Sequence, residues 1–184
     1  HEPDLRRCVT SILEKSSYDN FEIIIVENNS TSDEIFNYYK QIEKLPNVKV
    51  VSYKSDSDFN YSAINNFGVK AAAGEYIILL NNDTQIITPS WMEELLMYAQ
   101  REDVGAVGAK LYYEDRTIQH AGIVIGLGAH RTAGHTHYKV NYENVGYMGK
   151  LCYAQDVTAV TGACMMVRKS IYDEAGGLSE EFAV

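Results

Sequence analysis

Three short apolar runs separated by helical stripes set the limits on what this chain can become. The runs are Phe21 to Glu27 ("FEIIIVE"), Val48 to Tyr53 ("VKVVSY") and Glu75 to Leu80 ("EYIILL"). Each is short and rich in β-branched or aromatic residues, which suits strands buried on both faces. The intervening segments repeat with helical period. Leu5, Cys8, Val9, Ile12 and Leu13 predict an opening amphipathic helix. Ile35, Tyr38, Tyr39 and Ile42 predict a second, ended by Pro46 and started by a capping box at Ser30 with Asp33 or Thr31 with Glu34. A third is expected over Tyr61 to Ala73, with Gly74 as its C-terminal cap. Met92, Leu95, Leu96 and Ala99 form the stripe of a fourth, preceded by Thr88 as cap and Pro89 in the first turn. This alternation predicts an α/β fold, a mainly parallel sheet with helices on both faces.

The pattern changes after residue 103. "VGAVGAKLYY" and "TAVTGACMMVRK" predict further strands, and between them Gly126 to Gly149 is rich in Gly, His and Tyr with weak periodicity. A stretch of that kind is more often a functional loop or small subdomain than a spacer. We therefore divide the chain into residues 1–103, an α/β ligand-binding part, and residues 104–184, a smaller second part of the same domain. The first helix has no strand before it, and the last residues follow directly on a "GGL" turn, so the chain is expected to be cut at both ends.

Composition excludes several classes. With 46% hydrophobic and 22% charged residues in 184, the chain matches one globular domain. No run approaches the roughly eighteen apolar residues of a membrane span, and the N-terminus lacks a signal-peptide core. Cys8, Cys152 and Cys164 are odd in number and widely spaced, which suggests neither a disulfide framework nor a zinc site. Reduced thiols in a cytosolic compartment are the simplest reading. A net charge of −9 argues against a duplex-DNA surface, and means that a polyanionic ligand would need a metal ion beside it. No GxGxxG follows a predicted strand, which removes the dehydrogenase reading.

In parallel α/β sheets, ligands bind beyond the carboxyl ends of the strands. Two polar clusters fall there: Glu27-Asn28-Asn29-Ser30 after the first strand and Asn81-Asn82-Asp83-Thr84 after the third.

These segments resemble glycosyltransferase family 2, inverting sugar-nucleotide-dependent enzymes of GT-A fold. "FEIIIVENNSTSDE" is similar to the family's strand and acidic turn. "NYSAINNFGVKAAAGEYIILLNNDT" is similar to its Asn-x-Gly helix and the strand bearing the DxD motif. "TGACMMVRKSIYDEAGGLSEEF" is similar to its acceptor-side segment. "IQHAG", "GLG" and "VTGACMMVR" look most like bacterial rhamnosyl and related envelope-glycan transferases. The resemblance runs along nearly the whole chain in the family's order, with departures. Asn81 stands where DxD has its first acid, the acidic turn keeps only Glu27, and the opening strand is missing. The family's acidic base would fall beyond Val184, so residues 1–184 are expected to hold a donor without turning it over.

The resemblance implies a transferase moving a hexose-type sugar from a UDP- or dTDP-linked donor to a glycan or lipid-linked glycan hydroxyl. It implies Asp83 as the ligand of Mn2+ or Mg2+, ions for which one or two protein carboxylates suffice beside phosphates and water. It places Asn81 on the donor's ribose or sugar, Glu27 on the nucleobase, and Asn65 and Asn66 on a helix beside the donor. Each has a plainer alternative: Asp83 as a turn cap, Glu27 as an acid beside a helix start, and the asparagines as exposed helix polars. Cytoplasmic location follows, with the parent protein allowed to associate peripherally with the inner membrane face. No nucleic acid is implied. His120, His130, His135 and His137 match no familiar zinc spacing and suit an acceptor-side loop or plain surface. Tyr138, Tyr142, Tyr147 and Tyr153 would either stack on sugars or pack the subdomain. A nucleotide-sugar-binding module without turnover and a ligand-free scaffold remain alternatives.

Overall fold

The computed structural model describes residues 2–55, 59–127 and 132–181. The elements run α1 (Glu2–Lys15), β1 (Ile23–Asn28), α2 (Asp33–Ile42), β2 (Val48–Tyr53), α3 (Tyr61–Ala71), β3 (Tyr76–Leu80) and α4 (Trp91–Ala99). They continue β4 (Ala106–Gly108), β5 (Leu111–Tyr112), β6 (Ile118–His120), β7 (Ile123–Ile125), β8 (Ala133–His135), β9 (Cys164–Arg168) and α5 (Lys169–Glu174). The helix and strand order expected for the first hundred residues is the order observed.

Periodicity explains how the layers form. Leu5 and Val9 of α1 pack with Ile35, Tyr38, Tyr39 and Ile42 of α2 against Ile25 and Val48. In β3 the side chains alternate between two cores. Ile77 and Leu79 face Val69 of α3 and Tyr172 of α5, whereas Ile78 and Leu80 face Leu95 and Ala99 of α4. A one-residue slip would exchange the two faces, so burial on both sides pins the register. Gly68 lets α3 lie close on β1, since a Cβ there would stand 2.7 Å from Val26 Cγ2.

The sheets are mixed rather than mainly parallel. β1 and β2 pair in parallel, joined through the crossover helix α2. β9 instead enters antiparallel between β3 and β4, with Leu80 opposite Cys164 and Tyr76 opposite Arg168. It returns from a long excursion rather than from a single crossover helix, so nothing constrains it to run parallel. β5–β6 and β7–β8 form two small antiparallel ladders. Because β9 and β4 lie after residue 103 and flank one another beside β3, the two parts of the chain share a sheet.

Three caps differ from expectation. Ser32, not Ser30 or Thr31, caps α2, its Oγ accepting from Ile35 N at 3.3 Å. The Ser30 hydroxyl instead lies 3.5 Å from Tyr39 OH. α3 ends at Ala71, because Ala72 turns extended and Ala73 N donates to Glu22 at 2.6 Å. Ser90 occupies the cap position of α4, while the Pro89 carbonyl accepts from Ser17 N and Oγ.

Candidate functional site at the strand ends

Glu27 lies near the end of β1 and is buried, 8% exposed. Its Oε1 accepts from Ser30 N at 2.8 Å, and Asn29 takes a left-handed φ of +54° to bring that amide round. Among the described residues no basic side chain pairs with it. A buried carboxylate without a cation is costly unless other donors reach it. Glu27 is thus a buried acid on the turn that leads into α2.

β3 ends at Leu80 and delivers Asn81, Asn82 and Asp83 to the same kind of edge. Asn81 N donates to Ala163 O at 3.0 Å, tying the turn to the segment before β9. Thr84 closes the turn: its Oγ1 and its N both donate to Asn81 O, at 2.8 and 3.3 Å. Asp83 is exposed, and among the described residues its carboxylate enters no hydrogen bond or ion pair. Turn closure and the start of α4 are thus accomplished without it. An exposed carboxylate held on a tied turn fits a Mg2+ or Mn2+ ion that keeps most of its shell for phosphate and water.

The two helix asparagines are differently placed. Asn65 Nδ2 donates within its own helix to Tyr61 O at 2.8 Å. Asn66 has all four amide positions filled. Its Nδ2 donates to Leu178 O and Glu180 Oε1, and its Oδ1 accepts from Tyr172 OH at 2.6 Å and Leu178 N at 2.9 Å. Among these partners Leu178 belongs to the "GGL" turn, Tyr172 to α5, and Glu180 follows the turn. Clefts of about 340 and 230 Å³ lie beside α1 and beside Asn66, and Asp83 lines neither.

The histidines resolve unequally. His130 lies outside the described residues. His120 is 1% exposed, and its Nδ1 stands 3.0 Å from His135 Nδ1. Thr161 N donates to His120 Nε2 at 3.5 Å, which assigns the proton to His120 Nδ1 and makes His135 Nδ1 the acceptor. Zinc on the two facing nitrogens would require a proton on His120 Nε2, against the Thr161 N–H. Among the described residues no three His, Cys, Asp or Glu side chains gather to hold a metal.

Burial, and secondarily His135, pushes the His120 imidazole down to about 4. The unfolded chain therefore takes up a proton near pH 6.5 that the folded chain refuses until about pH 4. Stability is complete above pH 6.5 and falls as pH drops from 6.5 to 4, by about 3 kcal/mol. In thermal melts from pH 7.5 to 4.5, His120→Asn is expected to lose less stability than wild type. Parallel curves would show that His120 does not carry this linkage.

Of the four tyrosines considered for sugar stacking, Tyr138 sets its ring edge-on to Tyr113, and Tyr142 does so to Tyr112. Tyr147 and Tyr153 are 78% and 58% exposed. Cys8 and Cys164 are buried and Cys152 is exposed. Burial raises the thiols of Cys8 and Cys164, the latter to about 12. An aromatic disulfide reagent at pH 8 is expected to titrate one thiol in the native protein and all three after denaturation. Rapid modification of two would contradict this burial.

The fold is that of the GT-A glycosyltransferases. A mannosyltransferase from Pyrobaculum calidifontis, solved in complex with GDP-Man and Mn2+, matches with a TM-score of 0.64 over 98% of this chain and 45% of its own, at 12% identity. That likeness shows the architecture. The family follows from sequence: the Glycosyl transferase family 2 model matches residues 1–176, and the chain belongs to that family. An uncharacterized protein of Sinorhizobium fredii is 44% identical over 176 residues, 96% of this chain and 19% of the relative. The O-antigen biosynthesis protein RfbC of Myxococcus xanthus is 39% identical over 184 residues, 99% of this chain and 14% of the relative. The chain spans less than a fifth of either relative's length. Among the described residues no helix is long and apolar enough to cross a membrane.

Proposed function

We propose that this chain binds the nucleotide-sugar donor of an inverting, metal-assisted glycosyltransferase acting on cell-envelope polysaccharide. The donor is a UDP- or dTDP-linked hexose-type sugar, rhamnose among them, and the acceptor is a hydroxyl of a glycan or lipid-linked glycan. The observation that carries this reading is the exposed carboxylate of Asp83, unbonded among the described residues, on a turn that Thr84 closes. Membership of glycosyl transferase family 2 supports the reaction class, and the RfbC relative's name supports the polysaccharide. The mannosyltransferase of like fold, with its GDP-Man and Mn2+, supports donor class and metal.

In this reading Asp83 holds Mn2+ or Mg2+, which as a Lewis acid stabilises the departing diphosphate. Glu27 has a second carboxylate oxygen for the imide N–H of uracil or thymine. Asn81 turns to the ribose or sugar, and its neutral amide spares the site another negative charge. Asn65 stands on the flanking helix. Asn66 serves the donor site through the turn it fastens. The smaller part, residues 104–184, faces the acceptor, and the parent protein works in the cytoplasm at the inner membrane face.

Calorimetric titration with UDP, dTDP and GDP, each with Mn2+, with Mg2+ and with EDTA, tests this. Binding of UDP or dTDP that disappears in EDTA is expected. Equal binding with and without metal would remove Asp83 from its role. Failure of all three nucleotides to bind would favour the ligand-free scaffold.

A further inference from the structure

The turn that carries Asp83 is held from behind by one helix. Cys8, Ser11 and Lys15 are spaced i, i+3, i+7 and therefore share a face of α1. All three bond to the segment between Asn81 and Ile86. Cys8 Sγ stands 3.8 Å from Asn81 O and 3.5 Å from Thr84 Oγ1. Ser11 Oγ accepts from Ile86 N at 3.0 Å while donating to Cys8 O at 2.8 Å. Lys15 Nζ donates to Ile86 O at 2.9 Å. Ser11 is 4% exposed and Ile86 6%, so the bond between them is shielded from water, whereas Lys15 reaches the Ile86 carbonyl from an exposed position.

The end of α1 continues the fastening along the same connection. Trp91 Nε1 donates to Ser16 Oγ at 2.9 Å, and Ser17 N donates to Pro89 O at 3.0 Å. The link from β3 to α4 is thus tied at both ends and its middle, leaving Asp83 exposed between fixed points.

We propose that α1 is the positioning element of the Asp83 turn, with Ser11 and Lys15 setting where its carboxylate stands and hence the affinity for metal-bound nucleotide. This rests on the reading of Asp83 as the metal's ligand. The physical reason is that an exposed side chain on a loop is precise only if its backbone is fixed by buried partners. Removing the Ser11 hydroxyl orphans the buried Ile86 N–H, and removing the Lys15 ammonium frees the Ile86 carbonyl. Either change loosens residues 81–86, while the apolar cluster of Cys8, Ile12, Ile86 and Met92, which neither change touches, keeps the fold.

The test measures Mn2+-dependent UDP affinity and amide hydrogen exchange of residues 81–86 in wild type, Ser11→Ala, Lys15→Met and Lys15→Arg, at a temperature where melts show all four folded. Ser11→Ala and Lys15→Met are expected to bind roughly ten-fold more weakly and to exchange faster over 81–86, with Lys15→Arg near wild type. A merely stabilising role would lower the melting temperature and leave the affinity of the folded protein unchanged. Wild-type affinity in both loss variants would overturn the inference while leaving the role of Asp83 intact. Metal-independent binding already in wild type would overturn the Asp83 reading, and this inference with it, before any variant is compared.

Discussion

Asp83→Ala is expected to abolish metal-dependent nucleotide binding, weakening it by on the order of 100-fold, about 2.7 kcal/mol, while leaving the melting temperature unchanged. The two halves of that expectation come from different observations. Binding falls because this carboxylate is the charge the turn offers to a divalent ion, and neither neighbouring asparagine supplies another. Stability holds because Asp83 is exposed and bonds to nothing among the described residues, its turn being closed by Thr84. Asp83→Asn sharpens the test. It keeps the size and hydrogen-bonding capacity that a turn would use and removes only the charge, so it should behave like the alanine variant. If Asp83→Asn bound UDP and Mn2+ as wild type does, the metal role would be lost. If Asp83→Ala instead melted several degrees lower, the carboxylate would be acting as a turn residue after all.

The second large effect is on stability. Asn66→Ala removes four hydrogen bonds at once and leaves the Tyr172 hydroxyl, the Leu178 N–H and the Leu178 carbonyl without their partner. Tyr172 is 6% exposed, so its hydroxyl has little access to replacement water. With about 1 kcal/mol for each ordinary bond and more for each buried orphan, the expected loss is roughly 3–4 kcal/mol. In a domain of this size that is a fall in melting temperature of roughly 6–16 °C. Gly177 lies against the same amide: it has φ +78°, and a Cβ there would meet Asn66 Oδ1 at 2.6 Å. The chain therefore depends on a small residue on one side and a full amide on the other. Circular dichroism melts decide the question, and a shift of less than about two degrees would contradict the fastening role. Measured below its melting point, Asn66→Ala should bind UDP nearly as wild type does. A large loss of affinity with little loss of stability would restore the direct donor contact that the family resemblance suggests.

The strand ending at Leu80 and the acid three residues later were legible because both depend on local pattern: an apolar run, then turn-forming polars. The stripe Ile35, Tyr38, Tyr39, Ile42 was legible for the same reason, and all four are buried. Caps were less so, since Ser30, Thr31 and Ser32 are each chemically suited and only the path of the chain into α2 shows that Ser32 is the one used. The direction of β9 was not legible, because an apolar run of five residues carries no mark of which neighbour it will pair with. His120 read as one of several loop histidines, yet it is among the most buried side chains, placed by residues fifteen and forty-one positions away.

What the sequence determined by itself is the alternation of helices and strands, the placing of polar clusters at strand ends, and the likeness to a family of sugar transferases. Those depend on spacing within about ten residues, where backbone geometry leaves few options. Tertiary structure decided the rest. It buried Glu27, spent the Asn66 amide on a turn 112 residues away, and brought Cys8, Ser11 and Lys15 behind a loop more than seventy residues downstream. Hydrogen bonds of that span follow only once the cores on both faces of β3 have fixed where each element lies.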